Sequence, residues 1–198
     1  MGKTAAVILA AGLSSRMRDF KPLLPLGGTA LISRVLGLVR AAGAELVVVV
    51  TGYRAGDLEA HLSGKNVVFA HNENFATTQM LDSLLIGLAG IPAEFDRIII
   101  APADIPAVKP ETVRQLLASD GLFVRPTHKG KNGHPAIMSA SLIPALFGYT
   151  GNDGLRGAVQ AAGAEITNVE VPDRGALLDA DTPEDYAALC DYFASEYN

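Results

Sequence analysis

Tryptophan is absent from the 198 residues, and aromatic side chains make up only 6% of them. A protein that stacks bases on an aromatic platform needs more than that. Positive charge is not in excess either: 16 Lys and Arg stand against 21 Asp and Glu, for a formal net charge of -5, which argues against DNA or RNA as the main partner. The single cysteine, Cys190, has no partner for an internal disulfide or a sulfur-rich zinc site, so a reducing, cytoplasmic setting is expected. The four histidines are scattered without metal-ligand spacing. No apolar run is long enough to span a bilayer, so no membrane is expected as a partner. The opening "MGKTAAVILAAGLSS" runs on as a strand and loop pattern instead of ending like a cleaved leader. Repeats, long linkers and low-complexity tracts are also missing. What remains is a chain with 49% hydrophobic residues, of a length that fits one domain over residues 1–198.

Its apolar patterns alternate between two periods. "TAAVILA" (4–10) and "ELVVVVTG" (45–52) read as buried strands, the second with four consecutive valines suited to a sheet covered on both faces. "ALISRVLGLVRAAG" (30–43), "AGDLEAHL", "TQMLDSLLIGLAG" (78–90) and "PETVRQLLAS" read as helices between them. "NVVFAHN" (66–72), "DRIIIAPAD" (96–104), "GLFVRPT", "AIM" and "EITNVEVP" supply further strands. Two short helices near 140–147 and 153–162 and a closing "TPEDYAALCDYF" complete the series. The expected class is α/β, a mostly parallel sheet with helices on both faces. In such folds ligands collect beyond the carboxyl ends of the strands, here the loops after residues 10, 51, 72 and 101.

Four stretches carry candidate chemistry. After the first strand, Gly12, Ser14 and Ser15 form a small polar loop, with Arg16, Arg18 and Lys21 directly behind it. Backbone N–H groups in such a turn, with mobile cations beside them, suit phosphate oxygens; the plain alternative is a solvated strand-to-helix turn. No Gly-Lys-Ser/Thr and no Gly-x-Gly-x-x-Gly follows, so neither the P-loop nor the dinucleotide fingerprint applies. In "IIIAPADIPAV" (98–108), Asp104 lies just beyond a buried strand and between two prolines, placed either to hold Mg²⁺ or to cap a turn. In "LLDADTPEDY" (177–186), Asp179 and Asp181 are either a second metal carboxylate or part of a helix start at Asp181 or Thr182. "KGKNGHPAIM" (129–138) opens as a flexible, basic, glycine-rich loop in which His134 contacts a substrate phosphate or only satisfies a turn. Further on the polar side, Asn72, Thr78, Gln79 and Ser83 sit where a loop meets a helix N-terminus, a place that offers polar groups to a ligand.

In order, these pieces resemble a known family. "LAAGLSSRMRDFKPLLPLGG" is similar to the L-A-(A/G)-G-x-S-x-R-(M)-G-x-x-K-x-L signature of nucleotidyltransferases with a Rossmann-like fold. "PADIPAVKPETV", "NGHPAIM", "GNDGLRGAV" and "LLDADTPEDY" extend the likeness over nearly the whole chain, toward the molybdenum cofactor cytidylyltransferase-like branch. The resemblance implies transfer of CMP from CTP to the terminal phosphate of molybdopterin, with Mg²⁺ as cofactor, pyrophosphate as leaving group and a molybdoenzyme as a possible recipient. It assigns the nucleotide-binding loop to Leu9, Ala10, Ala11 and Gly12, with Thr78, Gln79 and Ser83 on the nucleotide side. It assigns the catalytic basic pair to Arg16 and Lys21, the metal to Asp104 and the acceptor side to Gly133, His134 and Pro135; the residues themselves add Asp181 as an expected helper at the metal and Arg156 on the acceptor side. The donor half then covers about 1–106 and the acceptor half about 107–198. Ala11, where related guanylyltransferases usually carry glycine, points to CTP, its methyl expected to narrow the space beside the base. Three positions depart from the family pattern: Arg18 for a glycine, Thr78-Gln79 for Gly-Met, and Ala103 for a glycine before Asp104. Two other readings share parts of this pattern: transfer to a sugar phosphate or another small phosphate, and a non-catalytic nucleotide-binding accessory to a molybdoenzyme.

Overall fold

The computed structural model describes residues 2–197, apart from the side chain of Tyr197; Met1 and Asn198, the ends of the 1–198 span, lie outside the described residues. The strands are β1 (Lys3–Leu9), β2 (Pro25–Leu26), β3 (Thr29–Ala30), β4 (Leu46–Thr51), β5 (Val68–His71), β6 (Phe95–Pro102), β7 (Phe123–His128), β8 (Lys131–Asn132), β9 (Ala136–Ser139) and β10 (Ile166–Glu170). The helices are α1 (Leu31–Ala41), α2 (Ala55–Leu62), α3 (Met80–Leu88), α4 (Pro110–Ala118), α5 (Ile143–Phe147), α6 (Gly154–Ala161) and α7 (Pro183–Tyr197).

The main sheet runs β10-β7-β9-β6-β1-β4-β5, with β8 hooked onto β7. The pairs β1–β4, β1–β6, β4–β5 and β7–β10 are parallel, while β9 runs antiparallel to both neighbours. This is the expected mostly parallel sheet. Side chains alternate along each strand, so the core divides in two. Ala6, Ile8, Val47, Val49 and Ile99 pack on one face against α1, α2 and α4. Ala5, Val7, Val50, Ile98 and Ile100 pack on the other against α3, α5 and α6. Helices therefore cover both faces, and the central strands can be apolar throughout.

β1 is the hinge of the topology. The chain leaves it toward β4 on one side and returns to β6 on the other, which opens a crevice at the carboxyl ends. Leu9 is in register with both Val50 and Pro102. Two further bonds carry the pairing past the strand ends, Ala10 N–H to Val50 O at 2.9 Å and Ala103 N–H to Leu9 O at 3.0 Å. The loops after β1 and β6 thus leave the sheet side by side.

Between the first loop and α1 the chain makes a 3-10 turn at Lys21–Leu23 and a two-stranded hairpin of β2 and β3. The plain strand-loop-helix pattern read from the sequence omits both. Leu26 and Leu31 join Ala107, Ala180 and Leu189 in a third small core, so the hairpin is the seat for α7.

One buried acid fastens the C-terminal part to the rest. Asp173, 2% exposed, accepts hydrogen bonds from Lys109 N–H at 2.9 Å, Thr112 Oγ1 at 2.7 Å and Gly175 N–H at 2.9 Å. The first two come from the start of α4, where a negative charge also complements the helix dipole. Asp173→Ala strands these donors and is expected to cost about 3 kcal/mol, lowering the melting temperature by roughly 6–12 °C. Calorimetric melts of parent and variant check this.

Candidate active site

The first loop is closed by its own residues. Met17 N–H donates to Ser14 O at 3.1 Å, and Lys21 N–H donates to Ser14 Oγ at 3.2 Å. Ser14 (φ +54°) and Arg18 (φ +65°) adopt the left-handed conformation that favours glycine. That is the physical content of one departure noted above: Arg18 keeps the turn that a glycine makes without strain, and its backbone bears the cost. Gly12 is different. A Cβ there meets nothing within 4 Å and its φ is ordinary, so neither the fold nor the turn needs glycine. What glycine leaves is bare backbone facing open space, as a ligand in close approach requires.

That space is a cavity of about 240 Å³ lined by Leu9, Ala10 and Gly12 to Arg16, together with Lys21, Pro22, Ala103 and Asp104. Across it, charged groups from three distant parts of the chain converge. Lys21 Nζ donates to Asp104 Oδ2 at 3.0 Å and to Asp181 Oδ1. Arg16 reaches Asp181 Oδ2 at 2.7 Å. Lys21 is mostly covered, its side chain 13% exposed, whereas that of Arg16 is 70% exposed. Burial pulls the Lys21 pKa down, but hydrogen bonds to Asp181 and Asp104 and their charges outweigh it and hold the ammonium above 10.5. The Lys21 hydrogen bond is also the main cause holding Asp181 below 3.8, with Arg16 assisting.

Asp181 does not cap α7. Thr182 does: its Oγ1 accepts from Asp185 N–H at 3.1 Å, and Asp185 Oδ2 accepts from Thr182 N–H at 3.1 Å. Asp181 is thereby left to the charge cluster. Its approach is set by Asp179 Oδ1, which accepts from Asp181 N–H at 3.1 Å, and by Ala180 N–H, which donates to Asp104 O at 3.2 Å. Burial, helped by the charges of Asp181 and Asp104, raises the Asp179 pKa above 3.8. A raised carboxyl pKa means the ionised form disfavours the fold at neutral pH, and the penalty fades as pH falls toward the unfolded value. Asp179→Asn keeps the acceptor oxygen and is expected to raise the melting temperature by about 1–2 °C at pH 7. The gain should shrink as the melts are repeated at lower pH.

Not every expected residue lies where the sequence suggested. The Ala11 methyl does not line the loop cavity. Ala11 is 6% exposed and belongs to the core with Val50, and a Cβ on Gly52 would lie 2.9 Å from its methyl and 2.7 Å from Phe75 Cβ. The methyl therefore does not narrow this cavity. Thr78, Gln79 and Ser83 are also outside that lining. Buried Asn72 donates to Thr78 Oγ1 and to Ser83 Oγ, both at 2.9 Å, and Gln79 N–H is held by Asp82 at the start of α3. Their hydrogen-bonding capacity is spent largely on ordering the loop before that helix.

The "KGKNGHP" stretch is no slack loop. It turns back as β8, and Gly133 N–H and His134 N–H are held by Pro126 O and Ala176 O at 2.9 Å each. Gly133, His134 and Arg156 line a second cavity, of about 180 Å³, with Leu9 and Pro102 at one side. Pro135 is buried beside it and does not line it. Met80, Ile100, Phe123, Leu155 and Ile166 make its walls apolar, and Arg125 adds a second guanidinium. His134 Nδ1 is buried without a hydrogen-bond partner among the described residues, and burial pushes its pKa below 6.5 despite the charge of Asp104. Leu9 lines both cavities, so they meet over the end of β1. Arg125 and Met80 escaped the sequence reading. The signal for Arg125 was there, a lone charge inside the apolar run "GLFVRPT".

Residues 6–166 match the MobA-like NTP transferase domain. The chain belongs to that family. It is a nucleotidyltransferase, and its relatives agree. Molybdenum cofactor cytidylyltransferase of Escherichia coli strain K12 is 29% identical over 195 residues, covering 94% of this chain and 95% of the relative. The bifunctional protein GlmU of Geobacter metallireducens is 33% identical over 125 residues, but these are 61% of this chain and only 26% of that protein. Among solved structures, a nucleotidyl transferase from Methanothermobacter thermautotroptrophicus superposes with a TM-score of 0.84 at 28% identity, over 98% of both chains. For a MobA-like transferase, the cavity beside the first loop and the cluster of Arg16, Lys21, Asp104 and Asp181 lie at the crevice where this fold takes its ligands.

Proposed function

We propose that this transferase moves CMP from CTP to the terminal phosphate of molybdopterin and releases pyrophosphate. One observation carries the reading: two cavities meet at Leu9, one lined by the glycine-serine loop with its cations, the other apolar-walled and bounded by arginines. The first suits a triphosphate. The second suits an acceptor with a flat organic body and a phosphate. The near full-length likeness to a molybdenum cofactor cytidylyltransferase supports the choice of CTP and molybdopterin. The whole chain works as one domain, about 1–106 serving the donor and 107–198 the acceptor, in a cytoplasmic setting.

Nucleotidyl transfer asks chiefly for positioning and charge neutralisation. An acceptor phosphate oxygen attacks the α-phosphorus of CTP in line; the new P–O bond forms as the bond to the β-phosphate oxygen breaks. The acceptor phosphate is already ionised at neutral pH, so no general base is needed. The Gly12 backbone and Arg16 hold the triphosphate, and Lys21 faces the departing pyrophosphate. Asp104 and Asp181 would hold Mg²⁺, a hard cation that takes one or two carboxylates and fills its remaining positions with phosphate oxygens and water. The residues fit it: both carboxylates already converge on a cation, the Lys21 ammonium, and Asp104 Oδ1 has no hydrogen-bond partner among the described residues. When bound, the metal supplies charge neutralisation at the triphosphate.

Pyrophosphate release measured with CTP or GTP, against molybdopterin or a sugar phosphate, tests the proposal. Turnover with CTP and molybdopterin at least tenfold above the other combinations is expected. Preference for a sugar phosphate would move the chain to the other acceptor class, and binding of CTP without turnover would make it an accessory protein.

A further inference from the structure

The acceptor cavity does not end at its arginines. A further opening, lined by Gln160, Gly163, Ala164 and Glu165, continues on their far side, and Arg125, Arg156 and Ile166 belong to both spaces. The spaces therefore follow one another. The donor cavity meets the acceptor cavity at Leu9, and the acceptor cavity meets the outer opening at the two guanidinium groups. The reacting phosphate belongs at the Leu9 end, beside Asp104. The arginines stand at the other end, across walls formed by Ile100, Phe123 and Leu155.

Arg125, half-buried, and Arg156, exposed, line the same two spaces with no acid between them. Neither Arg125 nor Arg156 forms an ion pair among the described residues, and Glu165 on the outer rim pairs with neither. Arg125 Nε donates to Asn168 Oδ1 at 2.8 Å, a neutral contact that fixes the guanidinium without neutralising it. Burial, and then the charge of Arg156, work against the Arg125 cation. Such an arrangement favours an anion between the two groups, and a planar guanidinium matches a carboxylate or oxyanion with two parallel hydrogen bonds.

We infer that Arg125 and Arg156 form an anion clamp at the distal end of the acceptor cavity, so that the preferred acceptor is a phosphomonoester carrying a second anionic group remote from the phosphate that reacts. Arg125 is the specificity-determining member, because its position is fixed by Asn168 on the neighbouring strand β10. This rests on the acceptor reading above and narrows it. In the proposed acceptor, molybdopterin, the ene-dithiolate and not the neutral pterin ring supplies that second anionic group; an acceptor without one leaves both cations without a counter-charge and binds weakly.

Two fluorescent pterins make the probe, pterin-6-carboxylate and neutral 6-hydroxymethylpterin, each titrated against parent, Arg125→Gln and Arg125→Lys protein. The parent should bind the carboxylate at least tenfold more tightly than the neutral compound. Arg125→Gln should abolish that preference and Arg125→Lys should restore part of it, with CTP affinity and melting temperature close to parental in both. Equal affinities in the parent, a preference that survives Arg125→Gln, or no binding of either pterin would each overturn the clamp. In parallel, pyrophosphate release with CTP and molybdopterin should show an acceptor KM raised at least tenfold in Arg125→Gln and kcat changed less than twofold. An unchanged KM overturns the clamp. Absence of turnover in the parent overturns the proposed reaction instead, while the pterin titrations still decide the clamp.

Discussion

Asp104→Asn lowers kcat by at least about 10²–10³ and weakens the dependence of turnover on Mg²⁺. The amide keeps the shape of the carboxylate and one carbonyl oxygen but removes the charge. Asp104 is the carboxylate best placed to meet a cation, because Oδ2 is engaged by Lys21 and Oδ1 has no partner among the described residues. An acid that waits for a metal and has no counter-charge in the empty protein can be lost with stability unchanged or higher. The ion pair with Lys21 changes that expectation. Removing Asp104 takes one of the two counter-charges of a mostly covered ammonium, and a small loss, about 1 kcal/mol, is expected. Turnover against Mg²⁺ concentration, with a melt on the same preparation, checks both parts. Parental turnover with an unchanged Mg²⁺ dependence would make Asp104 a turn residue.

Lys21→Met is expected to be as damaging to turnover and worse for the fold. The thioether fills the space of the lysine stem but leaves Asp104 and Asp181 facing each other with only Arg16 to compensate. Breaking a half-buried charge network of this kind costs about 1–3 kcal/mol, below the full price of a buried pair because both carboxylates keep some water contact. The pH dependence follows from the directions of the shifts. The Lys21 pKa is raised above 10.5, so its stabilising share is full below that value and is lost as pH rises through the folded pKa. The Asp181 pKa is lowered below 3.8, so its share is full above that value and is lost as pH falls through the folded pKa. The stability difference between parent and variant should therefore be flat across neutral pH and shrink toward both extremes. A difference that changes steadily between pH values of about 6 and 9 would point to another titrating group.

What could be read from the sequence follows from how local each signal is. β1, β4 and β6 were legible because buried strands are written as unbroken apolar runs, and α2 was read with the same ends it has in the fold, Ala55–Leu62. The β2–β3 hairpin was not, because two-residue strands set among Pro22, Pro25, Gly27 and Gly28 carry no periodicity. The direction of β9 was not legible either; its run "AIM" looks the same whether the strand is parallel or antiparallel. For the site, residue types pointed to Arg16, Lys21 and Asp104, but only the fold shows one lysine joining two acids 77 positions apart in sequence, at 104 and 181. Asp181 read more readily as part of a helix start until Thr182 and Asp185 proved to cap each other. Ala11 sits between Ala10 and Gly12, which line the cavity, while it packs in the core, and no local sequence signal separates the three. That the Asn72 amide bonds both Thr78 and Ser83 was not legible, because the contact joins positions 6 and 11 residues further along the chain.

The most direct test of the whole account follows the transferred group itself. Parent protein is incubated with Mg²⁺, molybdopterin and CTP labelled in its α-phosphate, and the products are separated. The account predicts that the label appears on the pterin as a CMP adduct, one pyrophosphate being released for each adduct formed, and that Asp104→Asn and Lys21→Met lose both products together. Label that stays in CTP, or that leaves as free CMP without an adduct, contradicts it.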